Sequence, residues 1–95
     1  MDILKIVIKE EWLKQIASGQ KTTEYREVKP FWTSRLYTKE GKPRKYDRVL
    51  FIAGYNPDVP RLEAEYGGVR KVKDLYHIAI GTVLKKQNFK KAAKK

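Results

Sequence analysis

Apolar and polar positions along the chain mark out a short series of elements. Ile3 to Lys9 (ILKIVIK) is rich in β-branched residues and predicts a strand. From Glu10 to Ser18 the period changes. Trp12, Leu13, Ile16 and Ala17 fall at i, i+1, i+4 and i+5, the single apolar stripe of a short helix. Glu10 and Glu11 stand in its first turn, where the helix dipole favours acids, and Gly19 follows the stripe as a left-handed C-terminal glycine would. Lys21 to Val28 alternates weakly and predicts a second strand.

The next stretch is irregular. Lys29 to Lys45 holds Pro30, Gly41 and Pro43; Phe31 to Tyr37 reads as a helical turn and Lys39 to Pro43 as an exposed loop. Tyr46 to Ala53 contains Val49-Leu50-Phe51-Ile52-Ala53, apolar on both faces and so a central strand. Gly54 to Pro60 is a loop by its Gly, Asn, Asp and two Pro. Arg61 to Tyr66 alternates cleanly, with Leu62, Ala64 and Tyr66 on one face and Arg61, Glu63 and Glu65 on the other. Gly67-Gly68 permits a bulge or turn before Val69 to Val72, and Tyr76 to Leu84 is a last strand with Gly81 as a second bulge position. One helix cannot cover both faces of a parallel sheet. The expectation is an α+β, mostly β domain: a small, mainly antiparallel barrel of five or six strands with one N-terminal helix, over residues 1–84.

The 95 residues are one domain's length, and the apolar fraction of 41% supports one small core. No apolar run approaches the roughly 20 residues that cross a bilayer. Met1 to Lys5 lacks the basic-then-apolar pattern of a secretory signal. With no Cys there is no disulfide frame, thiol nucleophile or Cys-type zinc site, and His77 is the single histidine, read as structural in its strand. No cofactor, metal or membrane partner is expected, and a cytoplasmic address is.

Charge alters the picture more. The formal net charge is +11, and the excess lies in two segments: +5 over residues 21–48 and +6 over residues 85–95, which hold six Lys and no acid. Residues 85–95 read as a disordered Lys-rich tail that either aids solubility or meets phosphates. Within 21–48, basic residues interleave with Tyr25, Phe31, Trp32, Tyr37 and Tyr46. That mixture suits unpaired nucleic acid, whose bases stack on rings while its phosphates meet cations; the same rings can equally be core, with Lys and Arg stems packed over them.

Gly19-Gln20-Lys21-Thr22-Thr23-Glu24-Tyr25-Arg26 gathers a glycine turn, a Lys, a Glu and an Arg. The pattern Gly-x-Lys-x-x-Glu-x-Arg, after a strand and a Trp-bearing helix, resembles the ASCH (activating signal cointegrator homology) family. Glu24 to Trp32 (EYREVKPFW), Gly54-Tyr55, Leu62 to Gly68 and Ile78 to Leu84 extend the likeness to a short phage and bacterial branch across most of residues 3–84. The resemblance implies a PUA-like barrel and RNA or nucleotide binding in a cleft near the glycine–lysine motif. It also implies enzymatic alternatives: a small amidohydrolase acting on a modified nucleoside such as N4-acetylcytidine, or a ribonuclease. The deacetylating branch uses a Lys, a Thr and a distant Glu. The Lys is Lys21; the Thr position is Glu24 here, a departure from the pattern; Glu65, or else Glu63, is the candidate for the distant Glu.

Physically, Glu24 and Arg26 share one face of a strand and Tyr25 the other. Lys21 joins them only if it belongs to the turn set by Gly19. Such a cluster can bind phosphate through Lys21 and Arg26, with Glu24 orienting them, or can be merely a structural ion pair. The expected cleft is lined by Lys21, Glu24 and Arg26, with Lys29 and Arg35 on phosphates, Trp32 and Tyr55 stacking on bases, and Arg61 and Glu65 nearby. A third reading is an interaction module for an acidic protein.

Overall fold

The computed structural model describes residues 1–89. Five strands and two helices follow one another as β1 (Ile3–Val7), α1 (Glu10–Ser18), β2 (Thr23–Glu27), α2 (Pro30–Leu36), β3 (Arg48–Ile52), β4 (Arg61–Val72) and β5 (Leu75–Gln87). They form one sheet in the order β1-β3-β4-β5-β2. β1 runs parallel to β3, and the other three pairings are antiparallel. The mostly antiparallel α+β architecture with a helix after the first strand is thus as expected.

The sheet curls because the β4–β5 ribbon is bulged. Tyr66 faces Ile80 while Val69 faces Ile78, so Gly67 and Gly68 together oppose Ala79. Gly68 adopts φ +98°, a left-handed conformation that a bulge requires and glycine supplies. A second irregularity lies where Ala64 faces Val83 and Tyr66 faces Ile80, which places Gly81 against Glu65. Bulges add local twist, so this ribbon rolls the sheet into a half-barrel. β1 and β2 are its two free edges.

The concave side holds the core. Leu4, Ile6 and Ile8 alternate inward around β1, Val49 and Phe51 from β3, Leu62 and Ala64 from β4, and Tyr76 and Ile78 from β5. Leu13 and Ile16 of α1 and Leu36 of α2 pack onto them. α1 matches the predicted span residue for residue, and Gly19 closes it at φ +88°, its N–H donating to the Ile16 carbonyl. The expected helical turn is a second helix, α2, begun by Pro30 at its first position. Its last carbonyls are taken up from the following loop: Arg44 Nε donates to Ser34 O (3.0 Å), Arg44 N to Leu36 O (2.9 Å) and Tyr46 Oη to Arg35 O (2.6 Å).

Tyr37, Tyr46, Tyr66 and Tyr76 form packed pairs inside the fold, Tyr37 on Tyr76 at 5.5 Å and Tyr46 on Tyr66 at 5.2 Å between centroids. Burial, then the neighbouring Tyr46 and Tyr37, push the Tyr66 phenol up to about 12. Tyr37 and Tyr46 are therefore packing residues.

The domain boundary moves. β5 does not stop at Leu84: Lys85, Lys86 and Gln87 pair with Glu63, Leu62 and Arg61, and Phe89 packs against the core. The expected disordered tail is strand over its first three residues; residues 90–95 lie outside the described residues.

Candidate functional site

The cluster is built where α1 hands the chain to β2. After Gly19 the chain doubles back, and Lys21 N donates to Gln15 O at 3.1 Å. Lys21 therefore precedes β2 and escapes its alternation. Within β2, Glu24 lies opposite Ile78 and Arg26 opposite Tyr76, so both turn inward.

Among the described residues Glu24 is the one buried charged residue, 6% exposed. A carboxylate in that position is tolerable only with full partnership, since desolvation costs several kcal/mol (~3–5 if a partner is lost). Glu24 Oε1 takes the Lys21 ammonium at 3.2 Å, and Oε2 takes Arg26 Nε at 2.8 Å and Nη2 at 2.6 Å. Lys21 and Arg26 keep side-chain exposures of 15% and 23%. Rings frame both cations. Arg26 Cζ is 5.0 Å from the Trp32 centroid, and Lys21 Nζ is 5.8 Å from that of Trp12 and 5.1 Å from that of Tyr25.

Arg26 also fastens the half-barrel. Its Nη2 donates to the carbonyl of Val7 at 3.0 Å, and Val7 ends β1, the opposite free edge. One guanidinium thus spans the seam that no strand–strand ladder among the described residues closes. Among the described residues no protein acceptor takes Arg26 Nη1.

The seam opens into a hollow of about 410 Å³ lined by Val7, Ile8, Lys9, Trp12, Glu24 and Arg26. Lys21 lines a separate hollow of about 270 Å³ with Gln15, Gln20, Thr23 and Tyr25. Lys21, Glu24 and Arg26 do converge, but the two cations address adjacent hollows on either side of the shared carboxylate. Two cations against one anion leave the cluster with one positive charge in excess.

Of the remaining residues singled out in the sequence, Trp32 joins the cluster through Arg26. Lys29 caps α2 and pairs with Glu27 at 2.9 Å; the hydrogen bond and charge of Lys29 hold the Glu27 carboxyl below its usual range, and Glu27 holds the Lys29 ammonium above its own. Arg35 folds over the Phe31 ring at 3.6 Å and donates to its carbonyl. Tyr55 is 90% exposed in the β3–β4 loop, and Arg61 begins β4. Glu65 points out of the convex face, where it accepts a long bond from Thr82 N (3.4 Å), and Glu63 pairs with Arg48 at 2.8 Å. No hydrogen bond, ion pair or ring contact among the described residues ties Lys29, Arg35, Tyr55, Arg61 or Glu65 to Glu24. The acid–base trio Lys21, Glu24 and Glu65 is therefore not assembled, because the alternation of β4 turns Glu65 away from the concave side.

Sequence reasoning missed Trp12, Lys9 and the Val7 carbonyl as parts of this site. Trp12 was readable as helix stripe; its position at the margin of that stripe, preceded by Glu10 and Glu11, was the available sign that it faces partly outward. Among the described residues no helix is long and apolar enough to cross a membrane, and no three His, Cys, Asp or Glu side chains gather as metal ligands. No family model, curated protein or solved structure matches the chain.

Proposed function

We propose that the chain is an RNA- or nucleotide-binding domain of the ASCH type, holding a phosphate at the seam between β1 and β2. One observation carries this reading: Lys21 and Arg26 share a single buried carboxylate, keep an excess positive charge, and border hollows walled by Trp12 and Tyr25. Glu24 fixes both cations before any ligand arrives, so little side-chain entropy remains to be lost on binding. Arg26 offers Nη1 to a phosphate oxygen, and Trp12 offers a flat apolar wall to a base.

The test is fluorescence anisotropy with a labelled single-stranded RNA dodecamer across a salt series. Arg26→Lys keeps the charge and loses the planar fork; a fall in affinity of about tenfold is expected. Lys9→Glu reverses an exposed charge at the rim without touching the cluster, and the log–log salt slope should lose about 0.7 for that phosphate contact. Parent-like affinity and slope in both variants, with unchanged melting, would retire the reading. Displacement of the RNA by polyglutamate at equal charge would favour an acidic-protein partner.

A further inference from the structure

Apart from the Tyr25 ring beside Lys21, the convex face of β2, β5 and the far half of β4 carries chemistry that the seam does not use. Across three adjacent strands Tyr25 stands opposite His77, and His77 opposite Arg70. Tyr25 is 49% exposed and meets the His77 ring edge-on at 4.8 Å and 86°. That is a large exposed ring braced by a second ring on a rigid sheet rather than on a loop. Beside them the bulge removes side chains from the surface: a Cβ on Gly67 would lie 2.8 Å from the Ala79 Cβ. The result is a shallow hollow of about 290 Å³ with Gly67, Gly68 and Ala79 as floor and His77 and Arg70 as walls.

His77 also walls a larger hollow of about 810 Å³ under the β4–β5 hairpin, where Lys29, Lys71 and Lys73 meet Val72 and Leu75. Around the two hollows stand Lys29, Arg70 and Lys73 against Glu27 and Asp74, an excess of one positive charge; Lys71, opposite Tyr76, turns to the concave side. Among the described residues no ion pair engages Arg70, Lys71 or Lys73. Two strand spacings separate Tyr25 from Arg70, about 10 Å, within one nucleotide's reach from base to phosphate. Lys21 joins this face to the seam, since its ammonium touches Glu24 on the concave side and lies 5.1 Å from the Tyr25 ring on the convex side.

We infer that Tyr25 and His77 form a stacking platform for an unpaired base of a single-stranded nucleic acid whose phosphates lie along Arg70 and Lys73. This deepens the RNA reading above and rests on it for the path of the strand: from Arg26 in the seam, around the edge of β2 over Lys21, onto the convex face. The ring supplies sequence-tolerant stacking, the cations supply counterion release, and the floor of two glycines and one alanine methyl lets the base approach the sheet closely.

The experiment measures binding of single-stranded oligouridylate and oligoadenylate dodecamers and of uridine monophosphate to the parent, Tyr25→Ala, Tyr25→Phe, Arg70→Gln and Arg26→Lys. Tyr25→Ala should weaken the dodecamers roughly five- to a hundredfold, and Tyr25→Phe should stay within about twofold. Arg70→Gln should flatten the salt slope by about 0.7. Uridine monophosphate held at the seam should respond to Arg26→Lys and not to Arg70→Gln, since Arg70 lines neither hollow of the seam. In amide NMR spectra Gly67, Gly68 and Ala79 should shift on adding dodecamer to the parent. If Tyr25→Ala binds dodecamer like the parent while Arg26→Lys is weakened, the platform is overturned and the seam stands. If Tyr25→Ala is weakened and Arg26→Lys is not, the platform stands and the seam reading falls. Equal losses for Arg70→Gln against oligonucleotide and polyglutamate, with none for Tyr25→Ala, would show a surface of charge alone and overturn the platform.

Discussion

Neutralising Glu24 tests the electrostatic heart of this fold. Glu24→Gln keeps the side chain's shape, so no cavity forms; it removes the charge that Lys21 and Arg26 share and places an amide donor where an acceptor stood. Breaking a fully buried ion pair by removing one partner destabilises by about 3–5 kcal/mol. Here both cations keep some water, at 15% and 23% side-chain exposure, and screening trims the effect to about 2–4 kcal/mol. A domain of this size has a total stability of about 5–13 kcal/mol, and each kcal/mol moves its midpoint by about 4–8 °C. Thermal unfolding followed by circular dichroism should therefore shift down by on the order of 10–25 °C. Because the pair is shielded from solvent, most of the loss should persist near 1 M salt, where the Debye length is only about 3 Å. A loss under about 1 kcal/mol would refute the reasoning, since that is the worth of an ordinary surface pair.

The same substitution separates the structural role of the cluster from the proposed binding role. Removing the carboxylate doubles its excess positive charge. Below its midpoint, the variant should bind single-stranded RNA at least as tightly as the parent and with a steeper salt slope. Lower stability with kept or stronger binding would show that the charge of the two cations outweighs their fixing by Glu24. A parallel loss of both would mean that the cations scatter once the carboxylate is gone.

Other consequences follow from particular contacts. Gly67→Ala drives a methyl to 2.8 Å from Ala79 Cβ and 3.0 Å from its carbonyl oxygen, and should lower stability to urea by about 1–3 kcal/mol. Ending the chain at Leu84 removes the pairing of Lys85–Gln87 with Arg61–Glu63 and the Phe89 contact, and should lower the melting midpoint by several degrees; ending it at Phe89 should make the proposed RNA binding less salt-dependent, since four Lys are lost. Tyr66 keeps its proton to about pH 12 when folded and loses it near 10 when unfolded. The unfolded chain thus binds fewer protons across that window, so its contribution is intact below pH 10 and stability falls between pH 10 and 12, by about 1–2 kcal/mol after discounting the phenol's partial exposure. Tyr66→Phe should flatten that alkaline limb in urea titrations. It should also leave neutral-pH stability equal or higher, because the buried Tyr66 hydroxyl has no partner among the described residues.

What could be read in the sequence was local, and what could not was set by pairing. The α1 stripe, its terminal glycine, the doubly apolar run of β3 and the alternation of Arg61–Tyr66 are short-range signals, and each element stands where its period puts it. Gly67-Gly68 reads as a bulge or a turn, and the bulge is what forms; Lys85-Lys86-Gln87 reads as tail and is strand. Glycines weaken a strand in isolation and lysines avoid cores, yet both are stable where a neighbouring strand supplies the ladder: Ala79 opposite the glycines, Glu63 opposite Lys85. The site shows the same division. That Glu24 and Arg26 share a face follows from a period of two. That Arg26 reaches Val7, and that Lys21 faces both sides of β2 at once, follows only from the curl that brings the two free edges together. The curl is produced by the Gly67-Gly68 and Gly81 irregularities, on strands distant in sequence from the motif. The glycines of β4 and β5 are therefore part of the chemistry of Lys21, Glu24 and Arg26: flattening the bulge should detach Arg26 from Val7 and open the seam before it unfolds the core.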